Sequence, residues 1–132
     1  MRKNKNRGYQ KLRVWNDAIA YFNTICKIVR KLPFDFKRII AQEIAAADSI
    51  HRNIAEGYCR KSIKEYLNFL NIALSSLGES VSGIYALYNA KLISQDSFNQ
   101  LDILAYKLEN GLLKLIESLE RKKRNKDWID YI

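Results

Sequence analysis

Residues 48–79 read DSIHRNIAEGYCRKSIKEYLNFLNIALSSLGE, and this stretch decides the fold: a helix end, a four-residue break, and the start of a long amphipathic helix. In the first part, apolar residues at helical spacing run into Gly57, a residue suited to the left-handed position that terminates helices, so a boundary is expected there. Tyr58-Cys59-Arg60-Lys61 then serve as a short connection. Ser62-Ile63-Lys64-Glu65 has capping-box spacing: the serine oxygen can accept from the Glu65 backbone N–H while the glutamate reaches back.

The helix that begins there carries a seam of Ile63, Leu67, Leu70, Leu74, Leu77, Val81, Ile84 and Tyr88, alternating steps of three and four as bundle helices do. A second row, Tyr66, Phe69, Ala73, Ser76, Ser80, Gly83 and Leu87, is small in its middle and lets another backbone approach closely. Two contact lines on one helix point to a bundle or an oligomer.

Working outward, the first helix is expected over residues 12–32 on a seam of Trp15, Ala18, Phe22, Ile25, Val29 and Leu32, with Pro33 marking its end. Val14, Tyr21 and Ile28 form a second apolar line, which implies either a broad core face or a subunit contact. Asp35 is the expected N-cap of a helix over 36–56. That helix has Ile40, Ile44, Ala47 and Ile54 on one face and Ile39, Ala46 and Ile50 beside it. The third helix covers 63–90. Ser94 caps a fourth over 95–122, with the seam Phe98, Leu101, Ala105, Leu108, Leu112, Leu115 and Leu119. Residues 1–8 form a mobile basic arm, 9–120 the bundle, and 121–132 a basic and then aromatic tail whose last residues are expected to dock on the bundle or a neighbour.

The chain of 132 residues is 48% hydrophobic with one proline and five glycines, which suits a single folded, helix-rich domain. Short connections make successive helices antiparallel neighbours, so the fold class is all-α, an up-down-up-down four-helix bundle. No apolar run approaches the length of a membrane span, and no uncharged core follows the basic N-terminus as in a signal peptide. A cytoplasmic protein is expected. Cys26 and Cys59 fit no metal spacing and no disulfide framework.

Charge carries the functional signal. With 23 Lys and Arg against 14 Asp and Glu, the net charge is +9, which favours polyanionic partners. The expected topology brings the N-terminal arm, the second connection and the C-terminal run to one end. Arg2, Lys3, Lys5, Arg7, Lys11, Arg13, Arg60, Lys61, Lys64, Arg121, Lys122, Lys123, Arg124 and Lys126 then form a candidate nucleic-acid-binding cluster, although Lys27, Arg30, Lys31, Lys37 and Arg38 lie at the other end. Tyr9, Tyr58, Trp128 and Tyr131 are candidates to stack on bases, whereas Trp15 and Tyr66 read as core.

Catalysis has little support. Glu56 and Glu79 invite an acid/base or metal pairing, but no activated nucleophile, His/carboxylate cluster or phosphate loop accompanies them. Asn53, Glu56, Gly57, Ser62, Glu65 and Glu79 are read as a structural motif: Asn53 and Glu56 bonding backbone at the turn, Ser62 and Glu65 capping, and Glu79 pairing with Arg52 or Arg60. His51, the one histidine, is read as structural. No enzyme activity, cofactor or metal is expected.

Several of these residues together resemble a known family. Tyr9, Leu12, Val14, Trp15 and Ala18, then Leu32-Pro33, Gln42, Ser49-Ile50 and Asn53-Ile54-Ala55-Glu56-Gly57, then Arg60, Ser62, Glu65, Phe69-Leu70, Ile72-Ala73, Ser76 and Glu79 resemble the proteins encoded in intervening sequences of 23S ribosomal RNA genes, also called the S23 ribosomal protein family. His51 stands where proline is common and Cys59 where glycine is usual. The resemblance implies a four-helix bundle assembling as a ring, typically a pentamer, with a basic surface and no established enzymatic activity. More distantly, the family is similar to accessory variability proteins of diversity-generating retroelements, which partner a reverse transcriptase. The expected function is non-enzymatic, homo-oligomeric binding of RNA or DNA. The alternative is an adaptor for a reverse transcriptase or another nucleic-acid enzyme.

Overall fold

The computed structural model describes residues 7–126. Arg2, Lys3 and Lys5 of the arm, and the terminal segment with Trp128 and Tyr131, lie outside the described residues. Four helices, α1 (Arg13–Val29), α2 (Lys37–Tyr58), α3 (Ile63–Asn89) and α4 (Gln95–Arg124), follow one another, with short 3-10 turns at Gly8–Lys11 and Phe34–Phe36. Each packs on its chain neighbours, and α1 also packs on α4, closing an antiparallel square. Among the described residues there is no strand, and no helix is long and apolar enough to cross a membrane.

The core is built from every helix: Tyr21 and Ile25 of α1, Ile50 and Ile54 of α2, Leu70 of α3, and Leu101, Leu108 and Leu112 of α4 are fully enclosed. On α1 the second apolar line, Val14, Tyr21 and Ile28, is buried, while Trp15 and Phe22 of the expected seam are half-buried. Both apolar lines therefore serve one broad core face. The small row of α3 is filled from within the same chain. α2 lies along it, with Gly57 against Tyr66 and Phe69, Ser49 Oγ 3.0 Å from Ser76 Oγ, and Glu43 beside Ser80 and Gly83.

Helix ends hold the departures from expectation. α1 stops at Val29, because its last turn tightens to 3-10 bonds from Lys31 N–H to Ile28 O and from Leu32 N–H to Val29 O. Asp35 lies within the following 3-10 turn, and Phe36 precedes α2 without a side-chain cap. Gly57 does not end α2 in a left-handed conformation; the helix runs through Tyr58, and no described glycine has positive φ. Its small size is required instead by α3, because a Cβ there would sit 2.8 Å from Phe69 Cβ and 3.2 Å from the Tyr66 carbonyl oxygen.

Left-handed conformations fall instead on Lys126, with φ 58°, past α4, and on Lys91, with φ 63°, just past α3. Lys91 is held by bonds from its N–H to Tyr88 O at 3.0 Å and from Leu92 N–H to Leu87 O at 2.9 Å, the paired closure of a Schellman motif. Ser62 caps α3, its Oγ accepting from Glu65 N–H at 3.0 Å, and Ser94 caps α4 in the same way through Ser97 N–H at 3.1 Å. Ser62→Ala is expected to cost about 1 kcal/mol, seen as a lower urea midpoint with an unchanged slope.

Candidate nucleic-acid interface

Three segments meet at one end of the bundle. The 3-10 turn at Gly8–Lys11 folds onto the end of α2, where Gly8 is buried and an added Cβ would come 2.9 Å from Tyr58 Cε1 and Cζ. The arm expected over residues 1–8 is thus anchored by residue 8, and Asn16 fixes the corner that follows, its Nδ2 donating to Gln10 O and Leu12 O at 2.9 Å each.

The third segment is the end of α4. Tyr85 and Tyr88 of α3 meet Asp102 and Phe98 of α4, and continuing this antiparallel register puts residues 121–124 level with the first turn of α3. These four residues are the last turn of α4 and not the start of a separate tail.

The fold thereby brings together Arg7, Lys11, Arg13, Arg60, Lys61, Lys64, Arg121, Lys122, Lys123, Arg124 and Lys126, all exposed. Part of this charge is answered locally. Arg60 reaches Glu56 at 2.8 Å and lies over the Phe69 ring at 4.8 Å, and Arg121 lies 3.5 Å from Glu117. The cations ending α4 also complement the unpaired carbonyls of its last turn. Lys11, Arg13, Lys61 and Lys64 have no carboxylate within ion-pair distance among the described residues. Such exposed cations suit contacts to phosphates better than reading of base edges.

Beside this end, Tyr9, Trp15, His51, Arg52, Ala55, Glu56 and Cys59 line an open groove of about 430 Å³ between α1 and α2. Its aromatic groups are already engaged. Tyr9 tilts on Trp15 at 5.4 Å and His51 meets the rings of Trp15 and Phe22 edge-on; outside the groove, Tyr58 meets Tyr66 at 6.1 Å. His51 Nε2 pairs with Asp48 Oδ1 at 2.8 Å, and Arg52 Nε donates to Asp48 Oδ2 at 2.6 Å. Burial alone would push the Asp48 carboxyl up, but the bonds and charges of Arg52 and His51 outweigh it and hold the group below the usual range.

The structural motif differs in its pairings from the expectation. Asn53 Nδ2 bonds back within α2, to Ser49 O at 2.8 Å and Ser49 Oγ at 2.9 Å, and so orients the Ser49–Ser76 contact between α2 and α3. Glu56 pairs with Arg60. Glu79 pairs with neither Arg52 nor Arg60, whose partners are Asp48 and Glu56; it stands exposed near the far end of the bundle. No group of three or more His, Cys, Asp or Glu that could hold a metal is found among the described residues.

A buried polar chain was not foreseen from the sequence. Ser80 Oγ donates to Glu43 Oε1 at 2.5 Å and lies 2.7 Å from Tyr21 Oη, linking α1, α2 and α3. Burial pushes the Glu43 carboxyl up to about 7, the Ser80 bond offsets part of the rise, and the charge of Glu79 adds to it. Burial likewise raises the Tyr21 phenol beyond its ordinary value. A signal existed, for Glu43 occupies a three-four seam with Ile40, Ala47, Ile50, Ile54 and Gly57, and is its one charged member.

Comparison with known proteins supplies the context of this bundle. The family model described as 23S rRNA-intervening sequence protein matches residues 10–114. A solved structure of a protein with unknown function from the S23 ribosomal protein family of Bacteroides thetaiotaomicron VPI-5482 has the same fold. It superposes with a TM-score of 0.73 at 21% sequence identity, over 79% of this chain and 95% of that one. No match was found among curated proteins.

Proposed function

Because the chain belongs to the 23S rRNA-intervening sequence protein family, we propose that it is a non-enzymatic, self-associating bundle that binds RNA or DNA through its basic end. The observation that carries this reading is the convergence of unpaired Lys11, Arg13, Lys61 and Lys64 with the cationic last turn of α4, at the end where the helices of a +9 chain meet. Neutralising several phosphates releases condensed counter-ions, so binding is backbone-dominated, indifferent to sequence and steeply salt-dependent. The work is done in the cytoplasm, where such partners are reached.

Self-association is supported by a different face. Ile103, Tyr106 and Leu113 of α4, at helical spacing, are 69%, 57% and 47% exposed, and Tyr85 of α3 lines a shallow groove together with Tyr106. An apolar stripe of this kind is what a subunit contact removes from water, and ring closure with copies of the same chain uses it repeatedly.

Light scattering on a sizing column, at low and high salt and with and without a short structured RNA, tests both parts. The expected result is a closed oligomer that takes up RNA at low salt and sheds it at high salt. An oligomer that ignores RNA and DNA alike would favour the adaptor for a nucleic-acid enzyme, and a monomer would remove the stripe as a subunit contact.

A further inference from the structure

At the end of the bundle opposite the basic cluster, the start of α2 and the end of α3 enclose a groove of about 630 Å³, within the range of small-molecule sites. Phe36, Ile39, Leu87 and Leu92 give it apolar walls, and the charged residues that line it are Glu43 and Glu79. No Lys, Arg or His is among its lining residues.

Glu43 is 5% exposed, yet no Lys, Arg or His lies within ion-pair distance of it among the described residues. Its hydrogen bonding is one-sided. Ser80 has a single hydroxyl proton and gives it to Glu43 Oε1, so Tyr21 donates to Ser80 Oγ and the chain of protons ends at that one oxygen. The other oxygen, Oε2, lies over Gly83 in the space a Cβ would occupy, and Gly83 and Glu43 both line the groove. A buried carboxylate with one oxygen satisfied and no counter-ion is costly, and a cation arriving from the groove removes that cost.

We propose that this groove binds a small organic cation, an ammonium or guanidinium group on an apolar stem, with the Glu43 carboxylate as its counter-ion on the floor and Glu79 at the rim. The apolar walls suit the stem. The polar side chains of the lining are Glu43, Glu79, Gln42 and Ser82; no group of three or more His, Cys, Asp or Glu that could hold a metal is found among the described residues, whereas two carboxylates, an amide and a hydroxyl match the few donors of an ammonium or guanidinium. The site lies apart from the phosphate-binding end and stands whether or not that end binds nucleic acid.

Ionised Glu43 is the binding form, so affinity rises as pH passes through about 7. The groups facing it are Tyr21 from α1 and Ser80 and Glu79 from α3, with Asp102 of α4 acting on Tyr21. Neither Tyr21, raised beyond its ordinary value, nor exposed Glu79 supplies a competing cation.

The test titrates the full chain with agmatine, and separately with putrescine, at pH 8 and pH 5.5, following backbone amide shifts. Saturable shifts at Gly83, Ala86 and Ala90 are expected at pH 8 and much weaker ones at pH 5.5. Glu43→Gln, which keeps the side-chain shape, is expected to lose affinity about tenfold or more, as for a hydrogen-bonded charge pair. Glu79→Gln, at an exposed position, reports on the site independently of the core and is expected to lose less. Equal affinity in Glu43→Gln, shifts scattered over surface carboxylates, or no saturation at pH 8 would each overturn the proposal.

Discussion

Replacing Arg121, Lys122, Lys123 and Arg124 together by Gln is expected to weaken RNA or DNA binding by about thirtyfold to a hundredfold at 0.15 M salt, nearly equally for unrelated sequences. The magnitude follows from helix geometry. Consecutive helical residues point about 100° apart, so four in a row cannot all face one backbone, and two or three phosphate contacts are the most this turn supplies. Each contact contributes close to one unit of slope in log K against log salt, so the slope should shrink by about two. Arg121 is partly answered by Glu117, which lowers its share. The same substitutions remove cations that favour the carbonyl end of α4, and circular dichroism would register the fraying separately from binding. Unchanged affinity with unchanged helicity would take the end of α4 out of the interface and leave Lys11, Arg13, Lys61 and Lys64 to account for any binding.

That this end is basic was legible in the sequence, because short connections fix an alternating topology and topology decides which segments share an end. The seams and the Ser62 cap were legible for a similar reason, each being set by spacings within about seven residues. Gly57 shows where local reading fails. A glycine that ends a helix and one that admits a neighbouring helix look alike in sequence, and only the position of Phe69 Cβ separates them. Conversely, a true left-handed closure falls on Lys91, where two backbone bonds override a side-chain penalty of about 1–2 kcal/mol and leave no glycine as a marker. Glu43 was visible as a charge on an apolar seam, but its partners Ser80 and Tyr21 are 37 and 22 positions away on other helices, beyond any local pattern.

Between pH 5 and pH 8, the unfolding free energy of the protein is expected to fall by about 2.5 kcal/mol, and Glu43→Gln is expected to abolish that fall. The sign follows from the two states. Glu43 has a folded pKa of about 7 against an ordinary 4.5, so across this window the folded chain keeps a proton that the unfolded chain releases, and rising pH favours unfolding. The loss begins above the unfolded value and is complete once the folded group has ionised. Asp48, held below its usual range, acts in the opposite sense and at lower pH: its contribution is present above the ordinary aspartate pKa and is lost as acid protonates it, so it does not blur the window. Urea melts at pH 5 and pH 8 would place Glu43→Gln near the parent at the lower pH and about 2–3 kcal/mol above it at the higher. Parallel pH profiles for the two proteins would mean that Glu43 does not titrate in this range. The cost also gives the groove its thermodynamic handle: a cation that binds only folded chain with ionised Glu43 stabilises it by mass action, so at pH 8 a ligand at about a hundred times its Kd should return about 2.7 kcal/mol to the parent. Glu43→Gln, already relieved of the buried charge, should gain much less.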